Sequence, residues 1–395
     1  DYEKSFTYNV GNQDIDGIVT TLENGLAADG YGSIDVSVKD SSGGGSYSVG
    51  DIIWEKSLGG SKSEEASSMQ QTSDGGFIVA GSSWSDDGDV SHNFGYSDYW
   101  LTKLDDSGNL QWQKTLGGSS YEHANSVQQT SDGGYIVAGF SESYDWNVIG
   151  NNGLRDYWVT KLDPTGNLQW NWDYGGSEHD GAYSIQQTSD GGYVVAGRSA
   201  SNNYDTSGNN GGWDYWVVKL NDTGSIQWEK SLGSSSTDEA KSIQQTSDGG
   251  FIVAGFSNSD DGDVSTNNGH TDYWVTKLNS SGNLQWEKAL GGSSYDEAQS
   301  IQQTSDGGFI IAGFSNSNDG DVSGNHGYHD YWVTKLDATG TLQWQKTLGG
   351  SFFEDAYSVQ QTSDGGFIIA GQTSSNDGDV SGNHGNKDYW VTKLD

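Results

Sequence analysis

Short apolar runs recur along the chain, some alternating with polar residues and some unbroken, and clusters of Gly, Asp, Asn and Ser part them. Short runs bounded by turn residues predict β-strands, and from residue 48 onward nothing has the three- and four-residue spacing of an amphipathic helix. The runs come in sets of four, and the sets repeat. The tripeptide Asp-Tyr-Trp begins at Asp98, Asp156, Asp214, Asp272, Asp330 and Asp388, and Gln-Gln-Thr-Ser-Asp-Gly-Gly begins at Gln70, Gln128, Gln186, Gln244, Gln302 and Gln360, always 58 residues apart. A fixed period of this length marks a repeat architecture, here six units over residues 48–395.

In the second unit the four runs, strands A to D, fall at residues 126–130, 135–140, 157–162 and 168–173. Asp132-Gly133 predicts a tight two-residue hairpin between A and B, and Asp163-Pro164-Thr165-Gly166 a second short turn between C and D. Strand B is apolar almost throughout, which is expected when neighbouring sheets cover both of its faces. Radial stacking of four-stranded sheets gives that double cover. The array opens at residues 52–58 with a copy of strand D and stops after a strand C, so the first strand is expected to complete the last blade and close the ring. The predicted fold is all-β: a six-bladed β-propeller of four-stranded blades with a 58-residue repeat, ring closed by an N-terminal strand, plus a small N-terminal β-α-β segment. The competing architecture, an open β-solenoid, normally carries atypical capping repeats, and none is visible.

Acidic residues number 55 against 18 basic ones, a formal charge of −37, which disfavours nucleic acid and anionic membranes as partners. The absence of cysteine removes disulfides and thiolate metal sites. No run is long and apolar enough for a membrane span, and no signal peptide is visible at the start given. Abundant Gly, Ser, Asn and Asp with few Lys suggest an exported, extracellular or cell-surface protein.

Residues 307–346, with Gly-Gly-Phe-Ile-Ile-Ala-Gly, Asp-Gly-Asp-Val-Ser-Gly-Asn-His-Gly, Asp-Tyr-Trp-Val-Thr-Lys-Leu-Asp and Gly-Thr-Leu-Gln-Trp-Gln-Lys, resemble the tandem propeller repeats of secreted or surface-anchored bacterial and archaeal proteins. The resemblance covers about residues 48–395 and implies the fold and extracellular placement, but no activity. The stretch from Asp163 to Trp170 also resembles the tryptophan-docking repeat of quinoprotein dehydrogenases, one residue short between the Asp and the Thr-Gly; it implies shared blade geometry and no organic cofactor.

The B–C connection is long for a hairpin, and its polar residues alternate. Asp87, Asp89, Ser91, Asn93 and Asp98 have the spacing with which a calcium loop curls oxygens around one hard cation. The set recurs as Asp261, Asp263, Ser265, Asn267 and Asp272; as Asp319, Asp321, Ser323, Asn325 and Asp330; and as Asp377, Asp379, Ser381, Asn383 and Asp388. The third unit keeps Asp205, Ser207, Asn209 and Asp214 but begins with Asn203, and the second has Ile149 where an oxygen belongs. These loops are expected either to bind Ca2+ or to be metal-free Asx-type turns, in which the same side chains hold backbone N–H groups.

An acidic residue stands two places before an alanine in every D–A connection: Glu64, Glu122, Asp180, Asp238, Asp296 and Glu354. These carboxylates either ring the channel mouth or cap the N–H groups of the tight loop. Departures from the repeat are few: His123 beside Glu122, His179 beside Asp180, and a second-unit loop with Trp146 and Arg155. None makes a nucleophile, base and orienting set, so an enzyme is not expected, and the histidines read mostly as surface residues. Trp84, Tyr144, Trp146, Tyr204 and Trp213 could stack on sugar rings.

Residues 1–40 read as strand, helix, strand, with apolar positions at Phe6, Tyr8, Val10, Ile15, Ile18, Leu22, Leu26, Ile34, Val36 and Val38; residues 41–47 are a Gly/Ser linker and 48–395 the propeller. So small a segment buries too little to stand alone and is expected to find cover on another copy. The sequence therefore points to an extracellular structural subunit, self-associating through this segment into a filament or surface lattice and stabilised by calcium. The alternative is a carbohydrate- or ligand-binding, lectin-like secreted propeller.

Overall fold

The computed structural model describes residues 53–395, which contain twenty-three β-strands and no helix. The predicted N-terminal segment, with its apolar positions from Phe6 to Val38, lies outside the described residues. Blade one comprises Glu64–Gln71, Phe77–Ser83, Asp98–Leu104 and Leu110–Leu116 as strands A to D, paired antiparallel in that order. Blade two repeats it as Glu122–Gln129, Tyr135–Ser141, Asp156–Leu162 and Leu168–Tyr174. Six sheets of this pattern form a six-bladed β-propeller. Strand A is innermost: Gln128, Gln186, Gln244, Gln302 and Gln360 line a polar cavity of about 320 Å³ between the blades.

Strand A begins four residues before the apolar run that announced it, because its first turn is polar yet buried: Glu122 is fully enclosed. A bulge between Ala124 and Ser126 separates that polar start from the regular ladder. The A–B turn also differs from the two-residue expectation. Thr130 N–H donates to Gly134 O and Gly133 N–H to Thr130 O, so the loop is longer and places only Gly133, at φ 82°, in the left-handed region. The Asp132 carboxylate accepts from the Gly134 N–H and the Thr130 hydroxyl, and this stabilises the wider turn.

Blades are joined by repeated contacts as well as by the chain. Tyr157 is fully buried, tilts against Trp216 of the next blade and donates its hydroxyl to the Trp216 carbonyl at 2.9 Å; Tyr99, Tyr215, Tyr273 and Tyr331 do the same. Near the axis the carboxamides of Gln70, Gln128, Gln186, Gln244 and Gln302 accept from the next blade's backbone, as Gln70 Oε1 does from Gln129 N–H at 2.6 Å. Five apolar cores result, each shared by two successive blades.

Five blades have four strands; the sixth, Glu354–Gln361, Phe367–Thr373 and Asp388–Leu394, has three. Residues 53–58, the described part of the copy expected to close the ring, carry no strand assignment. The surfaces that would frame that strand are uncovered. Tyr389 is 96% exposed where its five counterparts are fully buried, and Met69 is 67% exposed where Val127, Ile185, Ile243, Ile301 and Val359 are nearly buried. A strand-D copy needs blades one and six packed together to enclose it, and among the described residues no core joins them.

Candidate functional site

Each B–C loop folds back over the D–A loop that precedes its own blade. In blade four the Asp261 carboxylate accepts from Ser235 N–H at 2.8 Å, Asp263 accepts from Gly233 N–H at 3.2 Å, and the Asn267 carboxamide donates to Ser257 O at 2.9 Å. Asp87, Asp319 and Asp377 repeat the first contact, and Asp89, Asp321 and Asp379 the second. In blade three Asn203 and Asp205 stand in the same places. Beneath the loop a valine (Val90, Val148, Val264, Val322 or Val380) is buried, which gives an otherwise polar segment an apolar anchor.

The last residue of each predicted set is turned elsewhere. Asp272 opens strand C, is fully buried, and spends one oxygen on Asn268 N–H at 2.6 Å; its Oδ1 has no hydrogen-bond partner. The five loop residues therefore do not converge on one centre, and among the described residues no group of three or more His, Asp or Glu side chains has a metal-holding arrangement.

What the strand-C aspartate faces is the D–A carboxylate of the next blade. A side-chain carbon on Gly291 would lie 2.4 Å from Asp272 Oδ1 and 2.6 Å from Asp296 Oδ2, so both oxygens look into the space that the glycine leaves. Gly117 stands in the same way between Asp98 and Glu122, Gly175 between Asp156 and Asp180, Gly233 between Asp214 and Asp238, and Gly349 between Asp330 and Glu354. The D–A carboxylates thus do not ring the channel mouth. Those of blades two to six are fully buried and cap their own loop, as when Asp296 accepts from Gly292 N–H at 2.8 Å. Burial, opposed by one backbone hydrogen bond and reinforced by the facing carboxylate, pushes Asp98, Asp156, Asp214 and Asp272 up to about 7.

Sequence reasoning missed this pairing because its two members lie 24 residues apart, in different motifs of the repeat. It also missed a buried lysine in strand C. Lys277 bonds Asp248 of its own A–B turn, the Leu278 carbonyl and Gln285, and Lys103, Lys161, Lys219 and Lys335 hold equivalent positions. Its signal was a lysine kept at one place in an apolar strand. The histidines are less superficial than expected: His123 bonds Ser67 and Ser82 of the preceding blade, and burial lowers its proton affinity. Arg155 pairs with Glu142 and covers the Phe140 ring. Of the candidate sugar-stacking aromatics, Tyr144, Trp146 and Tyr204 are exposed, whereas Trp84 and Trp213 are half-buried, Trp213 beneath Arg198.

Fold and loops together define a β-propeller of six blades cut from one repeated pattern, its long loops bridging neighbouring blades. No family model matches the chain. Regulatory protein FlaEY of Caulobacter vibrioides is 28% identical over 188 residues, 44% of this chain and 20% of that protein, so the chain spans about a fifth of that relative's length. Among solved structures, the Neurospora crassa Pan2 WD40 domain is similar at a TM-score of 0.46 and 13% identity, over 78% of this chain and 74% of that one. A glucose dehydrogenase is similar at 0.43 and 9%, over 78% and 93%. No helix among the described residues is long and apolar enough to cross a membrane.

Proposed function

We propose that the chain is a structural subunit that assembles with copies of itself, outside the cell, into a filament or surface lattice. The observation that carries this is the pair of uncovered blade faces. Blade six offers Tyr389 and Val391, 96% and 60% exposed, and blade one offers Met69, while the same repeat positions are buried at five internal interfaces. The two faces are mates by repetition. Tyr389 stands where Tyr331 donates to Trp390 O, so its partner is the Trp100 carbonyl; Ser358 stands where Ser300 accepts from Val359 N–H, so its partner is Met69 N–H. Blade one of a second copy is the occupant, and a head-to-tail contact that does not close on itself yields an open polymer. The N-terminal segment, read from its apolar pattern as an assembly element, is a second donor in this proposal.

Negative-stain electron microscopy and sedimentation velocity test it. Polymers are expected from the full chain and fewer of them from Tyr389→Asp, since fully burying one such side chain contributes roughly 1.5–3 kcal/mol. A full chain that stays monomeric at high concentration overturns the proposal.

A lectin-like reading has one observation in its favour. Trp146 and Tyr204 both adopt φ 55° at exposed loop tips where sister blades carry Gly88, Gly262, Gly320 and Gly378, and a bulky side chain held left-handed is a strain that binding sites can use. Glycan-array binding lost in Trp146→Gly with Tyr204→Gly would support it; no binding by the parent chain removes it.

A further inference from the structure

We infer that each packed blade interface holds a divalent cation, Ca2+ by its oxygen chemistry, between the aspartate that opens strand C and the carboxylate that opens strand A of the next blade. The site is different from the loop sets suggested by spacing: it takes only the last residue of each set and adds a residue from the neighbouring blade.

Three observations support it. First, no lysine or arginine compensates the charge. Asp272 and Asp296 are both fully buried, yet the lysines and arginines in ion pairs go elsewhere: the strand-C lysines to the A–B turns, Arg155 to Glu142, and Arg198 to Glu239; a histidine stands by only at the fifth interface, where His326 Nδ1 lies 2.8 Å from Asp330 Oδ2. Two carboxylates withdrawn from water need a counter-charge or a proton. Second, the unused oxygen points at its mate. Asp272 Oδ1 has no hydrogen-bond partner, and it and Asp296 Oδ2, which accepts from the Gly292 N–H and the Ser317 hydroxyl, flank the vacant side of Gly291. Asp98, Asp156, Asp214 and Asp330 each have an orphaned Oδ1 beside the equivalent glycine. An unpaired acceptor repeated at every packed interface is a property of the repeat, not an accident of one blade. Third, the donors are oxygens: two carboxylates, with the Ser315 and Ser317 hydroxyls bonded to Asp296. That set suits a hard cation, with oxygen distances of about 2.3–2.6 Å for Ca2+, and not a transition metal.

The alternative is a proton shared between the two carboxylates, and the closing experiment separates the two. The full-length chain is stripped with EDTA and titrated with CaCl2 by calorimetry at pH 8, with melting followed in parallel. About five equivalents are expected to bind, with Kd on the order of 10⁻⁴–10⁻³ M as in extracellular calcium modules, together with a rise of several degrees in Tm. Asp272→Asn should remove one equivalent while raising the Tm of the metal-free protein, because it deletes an uncompensated buried charge. Asp261→Asn, in the loop set, should leave the stoichiometry unchanged. No heat and no Tm change at about 10 mM Ca2+, well above that range, would mean a shared proton and would overturn the inference. Loss of an equivalent in Asp261→Asn but not in Asp272→Asn would overturn it equally, in favour of the loop.

Discussion

The buried lysine of strand C permits a prediction whose sign is set by which partner is left inside. Lys277 is 6% exposed in its side chain and Asp248 57%, and the ammonium bonds both Asp248 oxygens at 3.0 and 3.1 Å, the Leu278 carbonyl at 3.1 Å and Gln285 at 3.2 Å. Lys277→Met takes the charge out of the interior and leaves Asp248 in water, still bonded to the Thr246 hydroxyl and the Gly250 N–H. The loss is about 1–2 kcal/mol, the worth of the hydrogen bonds given up. Asp248→Ala instead strands a buried ammonium with neutral acceptors, at roughly 3 kcal/mol after allowing for the half-exposed partner. Adding Lys277→Met to Asp248→Ala should therefore restore stability, by about 1–2 kcal/mol. Urea midpoints of the four proteins, followed by tryptophan fluorescence, measure the cycle. A double variant less stable than Asp248→Ala alone would refute the reasoning, because it would show that the stranded charge is not what costs.

Three further outcomes are expected. Trp146→Gly should raise Tm, since it relieves a left-handed φ worth about 1–2 kcal/mol at an exposed position; a lower Tm would mean that contact with Phe94 outweighs the strain. Gly291→Ala should cost roughly 1–3 kcal/mol by pressing its methyl on Asp272 and Asp296, whereas Gly181→Ala, with nothing within 4 Å, should be close to neutral in the same urea melts. In metal-free buffer, Asp98, Asp156, Asp214 and Asp272 have proton affinities raised from 3.8 to about 7. The folded state then holds protons that the unfolded chain releases, so stability is fully present below about pH 4 and is lost as pH rises through 7, by up to about 1.4 kcal/mol per pH unit for each group. In the opposite sense, Asp132 and Asp190, lowered to about 2 by the Thr130 and Thr188 hydroxyls and by Lys161 and Lys219 against the opposing effect of burial, stabilise above pH 3.8 and lose that contribution as pH falls through 2. A thermal scan against pH should peak between these windows, and a flat profile from pH 4 to 8 would contradict the raised affinities.

The fold was legible because its determinants are local and repeated. Turn residues, the apolar B run and the invariant period fix four strands per unit and their order. What escaped was whatever depends on side chains that lie far apart in sequence meeting in the fold. Glu122 looked like a loop residue because its burial comes from its own D–A loop and from Ser141, nineteen residues away. Asp98 looked like the end of a loop motif because spacing alone cannot show which way a carboxylate turns. The rings of Trp146 and Tyr204 are visible in the sequence, but the positive φ of a bulky residue is not.

The five shared cores tie each inner blade to the one before and the one after, and blades one and six to one neighbour each. Such an array behaves as a chain of coupled units whose free energy is the sum of single-unit and junction terms. Melting should then begin at the two outermost units, each of which has one junction where an inner unit has two, and travel inward. Hydrogen exchange would register this as a gradient of protection, lowest in blades one and six and highest in blades three and four. By the same arithmetic, adding or removing a whole inner unit would leave the junction chemistry of the others unchanged.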